Sequence, residues 1–216
     1  GPYRYTVCAL EDGLVPRHYP SEVTHRLNTS DGEDHERLAM DVDHDPRIKS
    51  VWVQHEFGLY NGGQGQYLLQ FLHAVNKPVA ITFHTVLPSP SVERKDMICA
   101  LAERATDVVV LTERSARILR EDYAISADKI SVIAHGTHPV KWRDKQRMKE
   151  KYGLQDRKVL STFGLLSSNK SIETALDALV SIKQRSPNVL YLVLGRTHPE
   201  VVPRGRTVPR DAVAQG

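Results

Sequence analysis

Three short polar segments stand out because each follows a run of β-branched and apolar residues: Gln54-His55-Glu56-Phe57-Gly58, His84-Thr85 and His135-Gly136. Imidazole is the side chain whose ordinary pKa lies nearest neutrality, so it can hold or pass a proton and orient a hydroxyl. Ligands of open α/β sheets bind beyond the carboxyl ends of the strands. One polar strand end is common, but three along one sheet can converge on a single crevice. Taken singly, each histidine reads more readily as a loop residue than as a catalyst. A fourth segment, Phe163-Gly164-Leu165-Leu166-Ser167-Ser168-Asn169-Lys170, carries a different chemistry. A strand gives way to glycine and small residues, and a helix then opens. Unpaired N–H groups at that helix start, with the Lys170 ammonium beside them, suit a phosphate or diphosphate. Gly164, Ser168 and Asn169 are its expected surroundings. A solvated lysine on an ordinary strand–helix turn explains the same residues equally well.

Other constellations are weaker. Asp41, Asp43, His44 and Asp45 resemble a metal cluster, but a solvated turn is the better reading. No Cys or His pair has zinc spacing, so no metal is expected. The glycines between 58 and 65 are not followed by Gly-Lys-Ser/Thr, and neither G-x-G-x-x-G nor G-x-S-x-G is present.

The elements that must position these residues alternate. Strands are predicted over 4–10, 48–53, 78–83, 107–111, 129–134, 159–163 and 189–194. Helices are predicted from Ser30 to about His44, with Ser30 and Glu33 as a capping box, and from about Gln64. Others are predicted over 92–104, 112–122, up to Tyr152, and over 170–184. Continuous apolar strands between amphipathic helices imply a parallel sheet covered on both faces. The composition breaks at 135–144, around Gly136 and Pro139. The chain therefore divides into a Rossmann-like domain over 1–138, the start of a second Rossmann-like domain over 139–202, and an irregular tail over 203–216.

The 216 residues are 40% hydrophobic and 25% charged, with a net charge of +3. That excess is small and forms no dense Lys/Arg stripe, which argues against nucleic acid. It is compatible with an anionic small ligand or loose contact with a membrane surface. Cys8 and Cys99 read as buried free thiols. No leader and no run of eighteen apolar residues is visible, so the expected compartment is the cytoplasm. The sequon Asn28-Thr29-Ser30 carries little weight there.

Taken in order, Gln54-His55-Glu56-Phe57-Gly58, Thr82-Phe83-His84-Thr85, Ile133-Ala134-His135-Gly136 and Phe163-Gly164-Leu165-Leu166 through Lys170 resemble the pattern of glycosyltransferase family 4. The helix carrying Ile172-Glu173-Thr174 and Ala175-Leu176-Asp177-Ala178-Leu179 fits too, and the likeness spans roughly residues 5–200. The resemblance implies a GT-B fold and a hexosyltransferase-like enzyme that transfers sugar with retained configuration. Its donor would be a nucleotide-diphosphate sugar and its acceptor a glycan, lipid or small molecule, with no metal and no bound cofactor. Lys170 matches the lysine at the donor diphosphate, and His84 the histidine at the donor sugar. His55, Glu56 and Thr85 match cleft-lining loops, and His135 and Gly136 the interdomain turn. A nucleotide-sugar epimerase or a non-enzymatic phosphate-binding module are the alternatives.

The sequence also departs from that pattern. Leu165 stands where the family often has arginine. The glycine-rich turn that opens the family, and its late pair of glutamates, have no counterpart. The expectation is an incomplete enzyme with little or no activity. From 203 onward, prolines and arginines break the helical pattern, as a shifted reading frame would.

Overall fold

In the computed structural model the described residues are 4–11, 17–62 and 65–197. Gly63, the tail over 203–216 and the Asn169 side chain lie outside them. The chain falls into two compact units, Gly1–Thr137 and His138–Gly216. Every strand ladder in both is parallel, so the α/β class expected from the alternation is the class observed.

In the first unit, β1 (Val7–Glu11) pairs with β2 (Val23–Asn28). After α1 (Gly32–His44) come β3 (Val51–His55), α2 (Gln66–Ala74), β4 (Val79–Phe83), α3 (Val92–Arg104), β5 (Asp107–Val110), α4 (Glu113–Glu121) and β6 (Ile130–Val132). Strands β3 to β6 lie side by side in sequence order. Their β-branched residues fill the core together with the apolar stripes of the helices. Ile81, Phe83, Val108 and Val110 from the strands, with Leu101 and Leu119 from the helices, are at most 1% exposed.

Several boundaries move for physical reasons. The N-cap of α1 is Asp31, whose carboxylate accepts the Glu33 N–H at 3.0 Å. Ser30 instead accepts a hydrogen bond from the Asn61 amide at 2.9 Å. An aspartate caps as well as a serine, and Glu33 and Asp34 in the first turn add to it by opposing the helix dipole. Asp31→Ala is expected to cost about 1 kcal/mol, read as a lowered urea midpoint with unchanged slope. The polar-interrupted strand β2 was not foreseen, and the strand expected at 129–134 is shorter, ending at Val132. Both cysteines are free but only half-buried. Burial still pushes the Cys8 thiol up to about 12, so it stays protonated and inert. The acidic turn is internally satisfied: Asp43 takes the Asn76 amide at 2.7 Å and Asp45 takes Arg47. Among the described residues no group of His, Cys, Asp and Glu is arranged to hold a metal. No helix among them is long and apolar enough to cross a membrane.

The second unit contains α5 (Lys145–Lys151), β7 (Lys158–Leu166), α6 (Ile172–Arg185) and β8 (Val189–Thr197). Strands β7 and β8 pair in parallel from Lys158↔Val189 to Leu166↔Thr197. Val189 is the one buried hydrophobic among the described residues of this unit, while Phe163 is 80% exposed.

Candidate functional site

The site in the first unit is built at the carboxyl ends of β3 and β4. The two strands are in register from Val51↔Val79 to His55↔Phe83. The ladder runs one bond further, because the His84 N–H donates to the His55 carbonyl at 3.0 Å. Two side-chain bonds then join the loops beyond. His84 Nε2 lies 2.7 Å from Gln54 Oε1. Thr85 Oγ1 donates to Glu56 Oε2 at 2.7 Å, while Glu56 Oε1 accepts the Phe57 N–H at 2.8 Å. With both oxygens engaged, the Glu56 carboxylate is held in one orientation.

The three strand-end histidines separate. His84 and His135 are exposed, and their rings approach to 6.4 Å in an edge-on arrangement. His135 Nδ1 lies 2.8 Å from the Gly136 carbonyl oxygen, and open space surrounds the position a Gly136 Cβ would take. His55 turns inward instead and is 2% exposed. Its ring lies edge-on to Phe57 and Phe83 and stacks on Tyr60. Burial among these rings lowers its pKa from 6.5 to about 4, so it is neutral at pH 7. The expectation of three imidazoles on one crevice therefore becomes a surface pair and a buried third.

His55 does reach a cavity. A pocket of about 310 Å³ is lined by His55, Glu56, Phe57, Tyr60, Asn61 and Arg94, among others. The Arg94 guanidinium carbon sits 4.9 Å from the Phe57 ring centroid. Arg94 was missed at the level of sequence, although a signal existed. A cation in the first turn of α3 faces the positive helix end, where acidic residues are favoured.

In the second unit the phosphate-seat residues are arranged differently from expectation. β7 continues through Gly164 to Leu166, and Lys170 ends a single 3-10 turn over Ser168–Lys170. Ser171 then adopts a left-handed conformation, with φ of 47°, and α6 opens at Ile172 rather than at Lys170. The N-cap Ser171 makes no side-chain bond to α6, and among the described residues no other side chain accepts from its first N–H groups. Lys170 folds back toward β7. Its ammonium lies 3.4 Å from where a Gly164 Cβ would stand. Gly164 has φ of +127° and runs opposite Gly195, whose own Cβ would collide with the Gly164 carbonyl. Conformation favours glycine at Gly164, and conformation and close approach together require it at Gly195. Ser168 and Lys170 are both exposed. Glu173, in the first turn of α6, offsets part of the positive potential there.

No protein-family model matches the chain, and no curated protein does. Among solved structures the chain is similar to a glycosyltransferase from Rickettsia africae ESF-5, with a TM-score of 0.55 and 14% sequence identity. The match covers 88% of this chain and 60% of that one, so the chain spans three-fifths of that structure's length. At this identity the likeness is one of fold, and it agrees with parallel α/β units of the Rossmann-like, GT-B kind.

Proposed function

We propose that the chain serves glycosyl transfer from a nucleotide-diphosphate sugar to a hydroxyl acceptor, with retained anomeric configuration. The observation that carries the proposal is the Lys170 ammonium folded over Gly164, just ahead of the uncapped start of α6. A leaving diphosphate gathers negative charge as the bond to the sugar's anomeric carbon breaks. The Lys170 ammonium and the first N–H groups of α6 stabilise that charge. The acceptor oxygen forms the new bond to the same carbon, and its proton leaves with the diphosphate. Gly164, Ser168 and Asn169 belong to this donor seat. His84, held by Gln54, is assigned to the donor sugar, with Glu56, Thr85, His135 and Gly136 as neighbouring polar groups. His55 acts from below through packing. The proposal uses no metal and no bound cofactor, places the protein in the cytoplasm, and leaves room for peripheral membrane contact. The specific membership of family 4 is part of the same proposal.

An epimerase on this architecture needs a free carboxylate beside the sugar. Glu56 is already engaged by Phe57 and Thr85, which favours transfer. Turnover is expected to be slow, because the donor-side unit buries little apolar surface among its described residues. Product analysis by NMR tests the proposal. A glycoside of the donor's anomeric configuration, formed together with nucleoside diphosphate, supports it. An isomerised nucleotide sugar without glycoside overturns it.

A further inference from the structure

The pocket beside His55 in the first unit has a chemistry that the diphosphate seat does not explain. Two residues of its lining, His55 and Arg94, each hold a buried polar atom with no hydrogen-bond partner among the described residues, Nδ1 and Nε. Leaving such groups dry and unpaired costs free energy, more so for the charged one. The Arg94 guanidinium carbon lies over the Phe57 ring, 4.9 Å from its centroid, a cation–π contact that holds the group beside the pocket. A guanidinium offers a fork of N–H donors that matches a carboxylate with two parallel bonds.

The rest of the wall restricts the guest. Each Glu56 oxygen accepts one bond and keeps a free lone pair for a hydroxyl donor. The Asn61 amide donates to Ser30 at 2.9 Å and has a second N–H and a carbonyl oxygen to offer. One guanidinium and one carboxylate nearly cancel. A dianionic phosphate would meet repulsion from Glu56, and a neutral polyol would leave Arg94 unpaired. A monoanion carrying hydroxyls satisfies both. At about 310 Å³ the volume lies at the low end for small-ligand pockets and suits a guest of roughly monosaccharide size.

We infer that this pocket binds a small hydroxylated carboxylate, a hydroxy acid or a uronate, with its carboxylate on Arg94 and a hydroxyl on Glu56. That the guest is the acceptor of sugar rests on the glycosyl-transfer proposal; that the pocket binds it does not.

Calorimetry on the full chain tests the inference, with glucuronate and glycerate as probes and glucose and inorganic phosphate as controls. Glucuronate or glycerate is expected to bind about tenfold or more tighter than glucose and tighter than phosphate. Arg94→Met, which keeps an apolar stem against Phe57, is expected to abolish that preference. Arg94→Lys, which keeps the charge and loses the fork, is expected to weaken it about tenfold. If Arg94→Met does not fold by circular dichroism, Asn61→Asp replaces it and is expected to weaken the carboxylates and spare glucose. Equal binding of glucuronate and glucose, no binding of either carboxylate in the millimolar range, tighter phosphate binding, or an unchanged preference in the folded variant would overturn the inference. Failure of nucleoside diphosphates to bind while glucuronate still does would sink the transfer proposal and leave this pocket standing.

Discussion

Acidification from about pH 7 to about pH 4.5 is expected to remove roughly 2–3 kcal/mol of stability from the first unit through His55 alone. Burial lowers the pKa of this imidazole from 6.5 to about 4. As pH falls below 6.5 the unfolded chain takes up a proton at His55, and the folded chain does not until about pH 4. The unfolded state therefore binds more protons across that window, and stability rises with pH. The contribution is fully present above about 6.5 and is lost as pH falls toward 4. His55→Phe keeps an aromatic ring against Phe57, Phe83 and Tyr60 and removes the titrating group. Urea midpoints across the window should fall more steeply for the native chain than for the variant. Parallel curves would show that the imidazole titrates alike in the folded and unfolded states, against the burial shift.

Lys170→Ala is expected to weaken binding of a nucleoside diphosphate by about tenfold. A charge-assisted contact is worth roughly 1.5–3 kcal/mol. Lys170 is exposed, so solvent screening places the loss at the low end of that range. Fold should be untouched, because the ammonium makes no buried contact. Gly164→Ala is expected to lower affinity by a different route. The new methyl group stands 3.4 Å from the Lys170 ammonium, on a backbone with φ of +127° that an alanine resists. Thermal shift with and without uridine or guanosine diphosphate separates the two: only Gly164→Ala should also lower the melting temperature of the free protein.

Much of the fold was legible because local signals were strong and agreed with one another. The helix predicted over 92–104 is the α3 observed, since Ser91 caps it and accepts the Arg94 N–H. The strand at Val79–Phe83 is β-branched and buried, and composition alone marks it. Strand β2 escaped because its alternation with polar residues is short and lies between turns. The start of α6 escaped because Ser171 takes a left-handed conformation, which a serine adopts rarely and which no spacing announces.

The site was legible as a set of residues, less so as a geometry. The inward turn of His55 follows from the two-residue period of a strand. His55 shares the parity of buried Val53, and Gln54 shares that of exposed Trp52. Treating the polar strand end as one block hid this, and it is why Gln54 rather than His55 meets His84. Arg94 was hidden differently. It follows β4 by eleven residues, and only tertiary packing brings it over Phe57.

Everything proposed about transfer depends on an ammonium at Lys170 drawing in the anionic half of an activated sugar. Calorimetric titration with uridine and guanosine diphosphates, each set against its phosphate-free nucleoside, reads this directly. One diphosphate should bind more tightly than its nucleoside in the native chain, and the gap should shrink about tenfold in Lys170→Ala. Equal affinities for diphosphate and nucleoside, or a gap that survives the loss of Lys170, would contradict it.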